Sequence, residues 1–337
     1  MSRAIRKESA GCMQPSRRRL LHLASGAAAI PVLTRMASAR SYPPGPVRLI
    51  AGFPQGGIVD AVARLMGKWL TRYFGTPFVV ENQPGASSNI ATRAVAQSAP
   101  DGTTLLLMSA NNAYNATLYK AVDFDFMRDI APVARIGRVP FVMEVGPTFP
   151  TRTVSDFIAL AKENPGKIRM ATAGSGSAQH IYGELFKMLA GVDLATKHYG
   201  GAGAAFPDLE TGNVDVLFDP VASSIGLLGA GRLSPLAVTT ATPTAVLPGV
   251  PPLGGFVPGY EATGWNGIGA PARTPLPIIE FLNTSANAAL ADPAFQAQLS
   301  AAGVEPFATS TSAFGHFIEE DIARWARVIR SAGIEPG

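Results

Sequence analysis

The stretch from Val47 to Tyr73, VRLIAGFPQGGIVDAVARLMGKWLTRY, constrains this chain more than any other. The apolar run Val47, Leu49, Ile50, Ala51 and Phe53 predicts a strand, and Gln55-Gly56-Gly57 predicts a tight loop. From Asp60 onward Val62, Leu65, Met66, Trp69, Leu70 and Tyr73 recur at helical spacing. A strand, a glycine turn and a helix make the first half of a βα crossover. Such a turn presents unpaired backbone N–H groups and the positive end of the helix dipole to whatever lies above it. The expectation is that this loop grips a carboxylate.

The same grammar continues along the chain. Thr76-Pro77 turns it into the short strand Phe78-Val79-Val80, which ends in the polar loop Glu81 to Gly85. Ala86-Ser87-Ser88-Asn89 leads into an Ala-rich helix from Ile90 to Ala99, with Ser87 or Ser88 as its cap, and Thr103 to Met108 is a further strand followed by small polar residues 109–112. Strands alternating with helices predict parallel pairing and right-handed crossovers, with ligands beyond the carboxyl ends of the strands. All three polar loops fall on that edge.

From Val133 to Glu144 an apolar run containing Pro140 reads as an extended crossing, after which the pattern restarts. A helix capped at Thr153, the strand Ile168 to Thr172 and the loop Gly174-Ser175-Gly176-Ser177 precede a helix carrying Ile181, Leu185, Met188 and Leu189 on one face. That repeats the opening unit. A short helix around Phe206 to Glu210 and a strand tipped by Asp219 follow; residues 242–260 read as an ordered surface loop, and Gly264 to Pro271 as a second crossing. The end is helical, its last helix striped by Phe314, Phe317, Ile318, Ile322, Trp325 and Ile329. Two crossings predict an α/β protein of two lobes around a cleft, residues 40–143 and 264–337 forming the first and 144–263 the second.

The first 39 residues read differently. Ser16-Arg17-Arg18-Arg19-Leu20-Leu21 precedes an Ala/Leu/Gly run and the site Ala37-Ser38-Ala39, the pattern of a twin-arginine export signal cleaved near Arg40. The run is shorter than the roughly 20 residues a membrane span needs. Cys12 lies ahead of it, the wrong order for lipid attachment, and is the chain's one cysteine, so cleavage removes all thiol chemistry. The signal holds seven basic residues against Glu8, and its removal takes the formal charge from +4 to −2. The basic balance therefore argues neither for nucleic acid nor for an anionic membrane.

Catalytic signatures are weak. Ser175, Ser177 and His180 suggest a serine hydrolase only superficially, since the G-x-S-x-G spacing is missing and a histidine in the first turn of the same helix cannot readily turn back as a base. Ser177 reads instead as a helix cap, and His180 as a cleft residue or a satisfied first-turn residue. His180, His198 and His316 lack metal-ligand spacing, and Gly200-Gly201-Ala202-Gly203 lacks the third glycine of a dinucleotide fingerprint. No metal, no cofactor and no catalytic residue is expected, and the chain is not expected to be an enzyme. Asp60 either caps its own helix or bonds the opposite lobe, Tyr199 either lines the cleft or is a buried ring at a turn, and Trp265 and Asn266 are hinge or ligand-contact candidates.

The segments FPQGGIVDAVAR, VVENQPGASSNIA, APDGTTLL, GSGSAQHIYGELFKMLAGVD, DLETGNVDVLFD, GRLSPLAVTT and GWNGIGAPARTP carry a resemblance. In that order, over nearly the whole chain after the signal, it resembles the extracytoplasmic solute receptors of tripartite tricarboxylate transporters, the Bug family. The resemblance implies a type II periplasmic-binding-protein fold that closes on a small carboxylate, mostly through main-chain groups, polar side chains and water. It also implies a periplasmic monomer that delivers its ligand to membrane permease subunits, or, alternatively, presents it to a sensor kinase. Carried over by position, Phe53, Gly56, Gly57, Asp60 and Ser88 belong to one side of the site, and Ser175, Ser177, Gln179, His180 and Asp219 to the other, which is expected to set specificity. Two departures stand out: Ser87-Ser88 where the family usually has two glycines, and Phe206-Pro207 at a usually regular helix start. No arginine falls in these loops.

Overall fold

The computed structural model describes residues 42–336. The export signal, its cleavage near Arg40 and Cys12 lie outside the described residues. Strand β1 (Val47–Ala51) feeds through the glycine loop into α1 (Ile58–Phe74), which begins two residues before the apolar periodicity because extended Gly57 serves as its N-cap. Gly75, in the left-handed conformation at φ 66°, ends the helix by donating its N–H to the Thr71 carbonyl. Next come β2 (Phe78–Asn82), α2 (Asn89–Ala96) and β3 (Thr104–Ser109). The small polar residues after β3 are not a loop but the start of α3 (Ala110–Leu118), where Asn112 Oδ1 accepts the Ser109 N–H at 2.9 Å.

A short turn, α4 (Phe126–Asp129), leads into β4 (Ile130–Val139), and only Pro140 separates β4 from β5 (Phe141–Val145). The expected crossing is therefore one extended run that gives a strand to each of two sheets. Proline has no N–H to add to a ladder, so the first sheet ends there. The Pro140 carbonyl accepts the Val221 N–H at 3.0 Å. The chain continues through α5 (Val154–Glu163), β6 (Arg169–Thr172), α6 (Ala178–Ala190), β7 (Ala195–His198), α7 (Ala202–Thr211), β8 (Val216–Pro220), α8 (Val221–Gly229) and β9 (Ser234–Val238). It returns as β10 (Gly264–Pro271), then α9 (Leu276–Ala291), α10 (Pro293–Ala301), the two-residue β11 (Glu305–Pro306) and α11 (Thr311–Ser331).

The first sheet has the order β11-β4-β10-β3-β1-β2, the second β7-β6-β8-β5-β9. Pairing is parallel where βα units follow one another, β1 with β2 and β3, and β6 with β7 and β8. It is antiparallel wherever a crossing strand takes part: β10 against β3 and β4, β5 against β8 and β9. The sheets are mixed rather than parallel, because a strand arriving from the other half of the molecule is not bound by the crossover rule.

Two other expectations change. Pro207 lies inside α7 instead of interrupting its start; the helix keeps its place because Ala205 and Leu209 on either side are fully buried in the second-sheet core. Residues 242–260 are an irregular, largely exposed segment as expected, pinned by buried Leu253, Val257 and Tyr260. Trp265 and Asn266 are interior, since β10 is a central strand covered on both faces, and Trp265 Nε1 donates to Asp321 Oδ2 at 2.8 Å.

The two halves meet over a buried aromatic group. Tyr114 of α3 and Tyr182 of α6 share a hydrogen bond between their hydroxyls at 2.8 Å, which satisfies two phenols that water cannot reach. Trp325 of α11 stacks on Tyr182 with ring centroids 5.1 Å apart and meets Tyr114 edge-on at 5.7 Å. No helix among the described residues is long and apolar enough to cross a membrane.

Candidate functional site

A cleft of about 850 Å³ opens between the two sheets, and helix N-termini point into it from both sides. From the first-sheet half come α1, through Gly57, Ile58 and Val59, and α3, through Asn111; from the second come α6, through Ser177 to Gln179, and α8, through Pro220 and Ser223. By helix geometry the first-turn N–H groups lack intrahelical acceptors, and the dipoles add positive potential. No Asp, Glu, Lys, Arg or His lines the cleft among the described residues. Its field comes from backbone and dipoles.

The first loop is braced by charge that stays out of the cleft. Asp60 is buried; its Oδ2 accepts the Gly56 N–H and Arg64 Nε, each at 3.0 Å, and its Oδ1 accepts Asn82 Nδ2 at 2.9 Å. Asn82 Nδ2 also reaches the Phe53 carbonyl at 3.0 Å, so one carboxylate and one amide fix both ends of the loop. Burial alone would raise the Asp60 pKa, but Arg64, the Gly56 N–H and Asn82 together hold it below the usual carboxylate range. Gly56 sits at φ +93°, where a side chain would be strained. Asp60 thus bonds its own helix and the neighbouring loop, not the opposite half.

The second loop is braced by neutral groups. Gly174 and Gly176 turn it at φ +111° and +72°, and Leu118 of the first-sheet half presses against Gly176. Ser177 Oγ accepts the His180 N–H at 3.3 Å and donates to the Gly174 carbonyl at 2.7 Å. His180 is buried, its Nδ1 accepts the Gly176 N–H at 3.2 Å, and its ring stands edge-on to His198. Burial, with His198 and Lys187 nearby, pushes its pKa down to about 4, so it supports the loop as neutral imidazole.

Beneath this loop lies an acidic pair. Asp219 on β8 and Glu144 on adjacent β5 are both fully buried on one face of the sheet, and Asp219 Oδ1 accepts Gln179 Nε2 at 3.1 Å. Burial pushes Asp219 up to about 7, with Gln179 and Ser223 offsetting part of the rise, and burial together with Asp219 pushes Glu144 well above its ordinary value. Asp219 therefore orients Gln179 from below.

Of the residues expected at the site, Phe53, Gly57, Ser175, Ser177 and Gln179 line the cleft, while Asp60, His180 and Asp219 are buried behind it and Gly56 is exposed beside it. Ser175 points its hydroxyl at the Glu335 carbonyl, 2.5 Å away, and Pro336 joins the lining. Ser87, not Ser88, faces the cleft. Ala86, Ser87 and Ser88 all adopt positive φ (45°, 52° and 79°), which turns Ser88 inward against the end of β1, where a Cβ on Gly52 would stand 1.9 Å from its Oγ. Nor does Ser88 cap α2 with its side chain. Asn111 Nδ2 to Ser87 Oγ (3.1 Å) and Asn115 Nδ2 to the Ser87 carbonyl (2.7 Å) hold this conformation. Tyr199 lines the cleft with its hydroxyl held by Asp208. Asn111 belongs to the polar segment 109–112 that the sequence set on the ligand edge without naming it as a site residue; Tyr119, Ser223 and Pro336 were not anticipated.

A family model described as the tripartite tricarboxylate transporter family receptor matches residues 62–334. Protein BugT of Bordetella pertussis is 33% identical over 299 residues, which cover 88% of this chain and 92% of that protein. Among solved structures, R. palustris Rpa4515 with adipate superposes with a TM-score of 0.77 at 35% identity, covering 88% of this chain and 100% of the other. Periplasmic binding protein BugD gives 0.74 at 31% identity, with 88% and 100% covered. MatC (Rpa3494) from Rhodopseudomonas palustris with bound malate gives 0.73 at 27%, with 86% and 100% covered.

Proposed function

We propose that this chain, which belongs to the tripartite tricarboxylate transporter receptor family and so is a solute-binding receptor of periplasmic-binding-protein fold, captures a small organic dicarboxylate in the cleft and hands it to membrane permease subunits. The observation that carries this is the convergence of four helix N-termini, two from each half, on a cleft that no charged side chain lines among the described residues. Each half then takes one carboxylate with backbone N–H groups, helped by Ser87, Asn111, Gln179 and Ser223. Each helix end contributes roughly 0.3–1 kcal/mol, more where it is partly buried. Paired groups from both sides favour a ligand with two anionic ends, as in the relatives seen with adipate and malate.

Closure is the functional step: ligand bridging both sides stabilises the closed arrangement by its differential affinity for it. The halves swing about the runs β4-Pro140-β5 and 239–264, with the Tyr114, Tyr182 and Trp325 group as the packed pivot. Export to the periplasm rests on the family and on the N-terminal signal pattern.

A thermal-unfolding panel of adipate, malate and other organic acids, with adipamide as the uncharged control, tests the reading. A hundredfold excess over Kd raises apparent stability by about 2.7 kcal/mol. The acid should stabilise and the diamide should not; equal shifts, or silence across the panel, would overturn it. Affinity capture from membrane extract should recover permease subunits, and recovery of a sensor kinase would transfer the receptor to signalling.

A further inference from the structure

A second cavity, of about 160 Å³, lies where both crossings leave the first sheet, and it shares no lining residue with the cleft. Arg138 is one residue from the end of β4, and Thr263 immediately precedes β10; both line it, as do Arg135 and Arg324. Three guanidinium groups around so small a space need an account.

Arg135 is 5% exposed, forms no ion pair among the described residues, and has a buried Nε without a hydrogen-bond partner. Its guanidinium lies over two rings, 3.7 Å from the centroid of Phe317 and 4.6 Å from that of Phe307. Stacking satisfies the face of a guanidinium and leaves its N–H edge in need of acceptors. Arg324 lies over the Trp325 ring at 4.8 Å and also has no ion pair among the described residues. Arg138 pairs with Glu305 at 3.0 Å, yet its own Nε is buried and unpartnered.

The nearby carboxylates are engaged elsewhere or stand off. Asp321 spends one oxygen on Trp265 Nε1 and the other on Trp325 Nε1, at 2.8 and 2.7 Å. Glu305 takes Arg138 on one oxygen and the Thr244 hydroxyl on the other. Glu261 lines the cavity and forms no ion pair among the described residues. Burial pushes Arg135 down to about 10, so it stays cationic at neutral pH. The cavity thus holds three guanidinium groups against two carboxylates, Asp321 already engaged and Glu261 standing off, with Arg135 Nε and Arg138 Nε left unpartnered; in the cleft, by contrast, the donors are backbone groups.

We propose that this cavity is an anion site which takes a small oxyanion, such as sulfate or phosphate, between Arg135, Arg138 and Arg324. An oxyanion with three or four oxygens around one centre can accept from several guanidinium groups lining one small cavity.

Tryptophan fluorescence provides the test. Of the three tryptophans, Trp325 lines the cavity and Trp265 is one hydrogen bond from it through Asp321; only Trp69 lies elsewhere. Sodium sulfate, titrated at constant ionic strength, should give a saturable change in emission. Sulfate also stabilises proteins generally by exclusion from their surfaces, so a melting shift alone would not decide. Arg324→Gln, at a half-exposed position, should weaken the apparent affinity about tenfold. Glu261→Gln should tighten it by removing a competing charge. Arg135→Gln removes the central contact but endangers a buried position, and the two milder variants avoid that risk. An unsaturable response, or both variants titrating like the parent, would overturn the proposal and place sulfate at the cleft helices or nowhere specific.

Discussion

The loops at 53–57 and 174–177 do the same local work, turning a strand into a helix whose N-terminus faces the cleft, but they are braced by opposite means. The first rests on an ionised Asp60 locked between Arg64, Asn82 and the Gly56 N–H. The second rests on Ser177, a neutral His180 and, below Gln179, the buried Asp219 and Glu144. Where a compensating arginine reaches half into water, a carboxylate can stay charged; Arg64 is 45% exposed. Around the second loop burial is the largest influence on each group, raising the two acids and lowering the imidazole, so all three favour their neutral forms. An anion-presenting turn therefore needs a rigid underside more than a charged one, and the two undersides should answer pH differently.

The largest effect expected is on that response. Asp219 is raised in the folded state, so its contribution is full below the ordinary carboxylate range and is lost as pH rises to about 7. His180 is lowered, so its contribution is full above its ordinary value of 6.5 and is lost as pH falls to about 4. Across their shared window the two slopes, each on the order of 1 kcal/mol per pH unit, oppose each other. Urea denaturation of His180→Asn, which keeps an acceptor, should expose a stability that falls between about pH 4 and 7. Asp219→Asn keeps His180 but also the raised Glu144, and should instead show a clearly shallower pH dependence than His180→Asn over the same window. Parallel pH profiles for the two variants would erase the contrast between the loops.

A smaller loss should follow from the charged side. Asp60→Ala removes the acceptor shared by the Gly56 N–H, Arg64 and Asn82, and should cost about 2 kcal/mol in chemical denaturation and weaken ligand binding by loosening the loop. The parent's Asp60 contribution, from a lowered pKa, is present above the ordinary carboxylate range and is lost only as pH falls through its depressed value. An Asp60→Ala protein as stable as the parent would show that the bracing charge is dispensable.

Smallest is the effect of Ser175→Ala on stability, below about 1 kcal/mol for one exposed hydrogen bond to the Glu335 carbonyl. Its use is to sharpen the comparison by calorimetry. If acid binding is unchanged, the hydroxyl belongs to the C-terminal segment; a tenfold loss would mean that it leaves Glu335 for the ligand.

Much of the fold was legible because βα units are local. Apolar runs, glycine turns and helical stripes announce β1 with α1 and β6 with α6 within about 25 residues each, and Pro140 marks the change of sheet. The antiparallel direction of β5 and β10 was not legible, since it depends on strands distant in the chain. Within the site, Gly57, Ser177 and Gln179 could be placed because a helix start points where its own strand ends. Ser87 and Ser88 could not be told apart, because three successive positive φ angles, held by Asn111 and Asn115, rotate the segment off the path that its residue types suggest.

By itself the sequence determined two helix-bearing glycine turns, the two crossings that make them face one another, and the lack of charge in both loops. These follow from residue type and short-range spacing. Only the tertiary structure decided which groups stand behind the turns, that Asp60 turns to its own helix while Asp219 lies under Gln179, and that Arg135, Arg138 and Arg324 meet at one cavity. Burial and partner choice depend on neighbours far along the chain, and those set whether a carboxylate keeps its charge and whether an arginine finds an acceptor.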